Sequence, residues 1–87
     1  MSFAVKEIQP TPNPNAAKFI LDRKIADQPI SFFNADQAAG HPVAARLFCI
    51  NGVSNVMLLG DFVTIGKRPQ ASWAEIKGKV AAVLASS

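Results

Sequence analysis

Apolar residues recur at Phe3, Val5 and Ile8, and the run stops at Pro10. A period near two predicts a first strand ended by the proline. Pro10, Pro12 and Pro14 then alternate with Thr11, Asn13 and Asn15. A residue before proline is pushed toward extended backbone, so Gln9 to Pro14 is predicted to be a stiff, extended segment. Asn13 and Asn15 are the side chains able to bond nearby backbone there, and they are expected to brace neighbouring loops. Lys18 to Leu21, "KFIL", reads as a second strand. A short helix capped by Asn15 competes with that reading, because Ala16 and Ala17 favour helix. Asp22 to Ile30 reads as a polar connection, and Ser31 to Phe33 as a brief extended piece.

The period then lengthens. Asn34 followed by Gln37 has the form of a capping box, predicting a short helix over Ala35 to Ala39 stopped by Gly40. Pro42 suits the first turn of a second helix, where Val43, Leu47 and Ile50 share one face and Asn51-Gly52 supplies a left-handed end. In "VMLLGDFVTI", Gly60-Asp61 predicts a two-residue, glycine-first hairpin turn. That turn pairs Leu59 with Phe62, Leu58 with Val63, Met57 with Thr64 and Val56 with Ile65. Val56, Leu58, Val63 and Ile65 form one aliphatic face, while Met57, Leu59, Phe62 and Thr64 lie on the other. Ser72 and Glu75 open a third helix carrying Trp73, Ile76, Val80, Val83 and Leu84 at helical spacing. Gly78 costs that helix about 1 kcal/mol against alanine, and close approach to the sheet would account for it. The pattern as a whole predicts an α+β fold: a small, mostly antiparallel sheet of about four strands, in chain order ββααββα, with helices mainly on one face.

Size and charge narrow the reading. A chain of 87 residues is expected to form one domain, residues 1–87, of modest stability. Its 49% apolar content is enough for a core, and its single cysteine rules out an internal disulfide. No segment reads as a signal peptide or a membrane span, so a soluble, cytoplasmic protein is expected. The net charge of +3 comes from dispersed basic residues. Such dispersion is unlike the dense run of a nucleic-acid arm.

Catalytic chemistry finds little support. Structural zinc and iron–sulfur sites ordinarily need four ligands from Cys and His, and this chain has one of each, His41 and Cys49. Along a helix their separation would be roughly 12 Å. That distance opposes both a shared metal and a Cys–His nucleophilic pair. The acids show no paired spacing, and no glycine-rich phosphate loop occurs. Trp73 reads as core packing whose indole N–H needs an acceptor.

Two stretches, "TPNPNAAKF" and "PVAARLFCINGVSNVMLLGDFVTIGK" with a tryptophan shortly after, resemble the N-terminal domain of Nfu/NifU-type iron–sulfur scaffold proteins. The resemblance runs from about Phe3 to Val83. In that family the domain is α+β and precedes a second domain whose Cys-x-x-Cys pair carries the cluster between two subunits. The sequence stops at Ser87 without that pair, so it resembles a stand-alone form of the domain or a piece of a longer protein. The resemblance therefore implies a non-enzymatic protein-interaction module that docks iron–sulfur assembly or client proteins. It would bind no cofactor by itself, with any cluster on a partner, and would act as a monomer away from membranes. The matching positions that packing does not explain are Asn13, Asn15, Lys18, Asp61, Thr64 and Lys67. Phe62 joins them as the aromatic on the second hairpin face, and these seven are the candidate partner-binding residues. The alternative is a small basic domain that binds nucleic acid or an acidic ligand through Lys18, Arg23, Lys24, Lys67 and Arg68. It lacks the interleaved aromatics of stacking modules, and its binding would fall steeply with salt.

Overall fold

A computed structural model describes residues 3–86. The aliphatic hairpin is its centre. β4 (Val53–Gly60) and β5 (Phe62–Lys67) pair antiparallel, and the register over Val56 to Leu59 is the one the glycine-first turn dictates. Gly60 has φ +55°, so the turn uses the left-handed region at its first position. On either side of this hairpin the sheet grows by further antiparallel strands. β2 (Ala16–Leu21) pairs with β5, and β1 (Val5–Pro10) pairs with β2. Strand therefore prevails over helix at Ala16-Ala17, because Ala17, Phe19 and Leu21 all become buried.

The fifth strand is a correction to the expected four. β3 (Ala26–Phe32) pairs with β4 on its free side, giving the order β1-β2-β5-β4-β3 and the chain order βββααββα. Asp27, Gln28 and Pro29 hid it as a polar connection. The register shifts between Ala26 and Ile30, and an irregular edge strand tolerates a proline. Ile30 and Phe32 still turn toward the core, opposite Leu58 and Val56. A second shift, between Val5 and Glu7, breaks the alternation in β1 and leaves Ile8 exposed. Extended chain lasts only to Pro10; Thr11 to Asn15 form the connecting loop of the β1–β2 hairpin, which corrects the expectation of a stiff extended segment to Pro14.

The helices cover one face. α1 (Ala35–Ala38) is capped by the Asn34 side chain, which accepts from the Gln37 N–H, while Gln37 accepts from the Phe33 N–H. α2 (Pro42–Phe48) is capped by His41 Nδ1, which accepts from the Ala44 N–H at 3.2 Å. α2 ends at Cys49, earlier than Asn51-Gly52 predicted. Gly52, with φ +98°, instead sits in the turn closed by the Val53 N–H donating to the Ile50 carbonyl. In α3 (Trp73–Ala85) the Ser72 hydroxyl accepts from the Ala74 N–H, and Glu75 makes no reciprocal bond. Ile76, Val80 and Leu84 of α3 join Leu47 and Ile50 over Phe19, Val56, Leu58, Val63 and Ile65 in one buried cluster.

Gly78 is the second correction. A Cβ there would meet nothing within 4 Å, so no close approach to the sheet accounts for it. Gly78→Ala is expected to stabilise the fold by about 0.5–1 kcal/mol through the helix and the unfolded chain. For a domain this small that is a rise of several degrees in melting temperature. Gly52→Ala should do the reverse and cost more than about 1 kcal/mol, because its backbone is left-handed. Its new Cβ would also lie 2.6 Å from that of Ala71. Paired thermal melts of the two variants check both signs.

Candidate functional site

The seven candidate residues separate into three places. The first is the sheet face opposite the helices. Alternation in β2 turns Phe19 inward, so Lys18 and Ile20 face outward beside Thr64 and Phe62 of β5. Cross-strand pairing continues the rows: Thr64 to Met57 to Ser31, and Phe62 to Leu59. Among the described residues no helix covers this face, and Lys18, Ile20, Met57, Leu59, Phe62 and Thr64 are each half-buried by their neighbours alone. The Lys18 ammonium lies over the Phe62 ring, 4.1 Å from its centroid, in diagonal register. That distance is well within cation–π range. Ile20 was missed as a member of this face because, although "KFIL" reads as a strand, no local rule says that it lies beside β5 with Ile20 opposite Phe62. Asn55 was missed too; its side chain lies across Gly66 and fills the space a Cβ would need.

The second place is the end of the sheet where the β1–β2 loop meets α3. The loop is shaped from within: Thr11 Oγ1 donates toward the carbonyls of Asn13 and Ala16, and Asn13 Oδ1 accepts from the Asn15 N–H at 2.9 Å. It is anchored from outside by the Lys67 N–H, which donates to the Asn15 carbonyl at 2.7 Å, and by two side-chain contacts. The Asn15 side chain accepts from Lys67 Nζ at 3.0 Å, and the Pro14 carbonyl accepts from the Trp73 indole N–H at 3.0 Å. Asn13 thus closes its own loop, and Asn15 holds a side-chain ammonium; neither braces another loop's backbone through its side chain, as had been expected. Lys67 also belongs here and not on the outer face, its ammonium 6.0 Å from the Trp73 ring centroid. Trp73 is half-buried, tilted against Phe19, and walls a cleft of about 380 Å³ with Ile8, Pro10, Ala17 and Lys77.

Asp61 stands alone at the far end. Its carbonyl accepts from the Leu21 N–H at 2.7 Å, and its side chain is exposed. The basic residues of the nucleic-acid alternative are also divided. Arg23 and Lys24 follow β2 at the Asp61 end, beside Asp22 at 3.8 Å and Asp27 at 3.1 Å, whereas Lys67 and Arg68 lie at the opposite end of the sheet. For a cluster or metal the ligand set does not fit. Cys49 is exposed, its thiol donating to the Ala45 carbonyl at 3.4 Å, and His41 is committed to its cap and to an edge contact with Phe32. Among the described residues no three of His, Cys, Asp and Glu gather.

The family model described as "Scaffold protein Nfu/NifU N terminal" matches residues 5–87. The chain belongs to the Nfu/NifU N-terminal family. An NFU1 iron-sulfur cluster scaffold homolog, mitochondrial, of Drosophila erecta is 39% identical over 80 residues, covering 90% of this chain and 28% of that protein. An uncharacterized protein of Bacillus subtilis, YpgR, is 32% identical over 87% of this chain and 20% of its own length. The chain therefore spans about a quarter of the length of the curated relatives it matches. Among solved structures, a NifU-like protein of Saccharomyces cerevisiae superposes with a TM-score of 0.77 at 27% identity, covering 93% of this chain and 76% of that one. Protein SAV1430 of Staphylococcus aureus gives 0.80 at 24% identity, covering 95% and 98%, and shares the fold. The α+β class expected of an Nfu/NifU N-terminal domain is thus the observed one.

Burial separates the two phenylalanines of the β2–β5 pair. Phe19 is 0% exposed, and Phe19→Ala is expected to cost about 3–5 kcal/mol. Phe62, half-buried on the open face, should cost clearly less. Asn13 is exposed, so Asn13→Ala should cost about 0.5–1.5 kcal/mol, the ordinary value of one hydrogen bond. Urea denaturation midpoints rank the three, and a Phe62 loss equal to that of Phe19 would place Phe62 in the core.

Proposed function

We propose that this chain is a non-catalytic interaction module of iron–sulfur cluster assembly or client maturation, docking a partner protein on its open sheet face while the partner carries the cluster. The observation that carries this reading is the one-sided packing of the domain. Helices α2 and α3 bury the Val56, Leu58, Val63 and Ile65 face, and the Met57, Leu59 and Phe62 face is left uncovered among the described residues. An apolar patch with polar residues around it commonly marks a partner site. Family membership supports the link to cluster biology, since relatives are named as iron–sulfur cluster scaffold homologues. The single thiol of the chain supports placing the cluster elsewhere, because clusters are usually held by four thiolates.

Phe62 is the expected anchor, since aromatic side chains often dominate interface energetics. Titration of purified Nfu-type Cys-x-x-Cys domains and of apo iron–sulfur clients, followed by NMR, should shift the signals of Lys18, Phe62 and Thr64. Phe62→Ala should weaken the binding found by about 1–3 kcal/mol with the fold intact. Shifts confined to the Trp73 end, or an unchanged affinity, would remove the open face from the reading. Anaerobic reconstitution with iron and sulfide should leave the isolated chain without a stable visible chromophore. Stoichiometric iron and sulfide with an absorption band would make Cys49 a ligand and overturn the division of labour.

A further inference from the structure

We infer that the open face selects a partner segment in which a carboxylate sits beside an aliphatic or aromatic side chain, the carboxylate landing on Lys18. This deepens the docking reading above and rests on it. Lys18 makes no ion pair among the described residues, in contrast to Arg23 and Lys24, which stand beside their own carboxylates. Lys18 is half-buried and its ammonium lies over the Phe62 ring, so its position is set before any partner arrives. A ring face attracts a cation but supplies no negative charge and accepts only weakly. An arriving carboxylate would complete that shell without displacing the ring, and it would do so in partial shelter from water, where a charge-assisted bond is strongest.

The surroundings select what accompanies the carboxylate. Ile20 and Phe62 lie beside Lys18, Met57 and Leu59 extend the apolar surface one strand further, and Met57 is the kind of adaptable side chain that accommodates varied shapes. Glu7, the acid on the neighbouring row, already accepts from the Gln9 amide at 3.0 Å. A second copy of the chain is the poorer occupant, because each copy carries a net charge of +3 and like charges would be pressed together. An acidic, apolar segment is complementary in both respects.

Selection of a random displayed peptide library on the whole chain tests this. Enriched peptides should carry Asp or Glu next to Leu, Phe or Trp, and a synthetic winner should shift the NMR signals of Lys18, Phe62 and Thr64. Lys18→Glu should weaken that peptide about tenfold or more, and replacing the peptide's acid by lysine should restore binding to the variant. Lys18→Gln, which keeps the chain's shape, should show a smaller loss if Lys18→Glu disturbs the fold. Peptides without acids, an affinity indifferent to Lys18, shifts confined to the Ile8–Trp73 cleft, or dimerisation through this face in sedimentation would each overturn the inference. The two readings fail differently. If Phe62→Ala abolishes client binding while Lys18→Glu leaves it unchanged, only the acidic partner is lost; if Phe62→Ala has no effect on client binding, the docking face itself is lost.

Discussion

The contact between α3 and the aliphatic face of the β4–β5 hairpin is what the rest of the structure depends on. Ile76, Val80 and Leu84 are each 1% exposed or less, and so are Val56, Leu58, Val63 and Ile65 beneath them. A chain of this size has apolar side chains for one such layer. Spending them on one face leaves the other to be covered by its own strands' side chains. The open face with Lys18 and Phe62 is the other side of that one-sided packing.

The two sheet edges show how the remaining strands avoid unwanted pairing. β1 ends in Pro10 and has its register broken near Lys6; β3 carries Pro29 within another break. Prolines and irregularities blunt an edge as a template for further strands. The open face has no such device. Its backbone groups are already bonded within the sheet, so a partner there reads side chains.

What was legible in the sequence is what local rules fix. A two-residue turn beginning with glycine sets the β4–β5 register outright, and the capping residues Asn34 and Ser72 and the first-turn Pro42 mark helix starts. Of β3 only its end, Ser31-Phe32, read as extended; the rest was illegible because edge position, a proline and a register break together erase its period. The tie between Asn15 and Lys67 spans 52 positions and that between Trp73 and Pro14 spans 59, beyond any local rule. The pairing of Lys18 with Phe62 is of the same kind: each residue was singled out, but their contact exists only once β2 is known to neighbour β5. Motif resemblance reached the family without reaching these contacts.

Strand order also dictates an order of assembly. β2 cannot gain its inner neighbour until β5 has been synthesised, since Phe19 pairs with Val63. As the chain leaves the ribosome, the β1–β2 hairpin must therefore wait with Phe19 and Leu21 uncovered, and pairing across so long a loop is slow. During that wait the apolar strand is flanked on one side by Pro10, Pro12 and Pro14 and on the other by Asp22, Arg23 and Lys24. Prolines and charges beside an apolar strand are the residues that oppose aggregation. The proline-rich loop that later hangs from Trp73 thus sets residues of the kind that oppose aggregation beside the apolar strand before there is a helix to hold it.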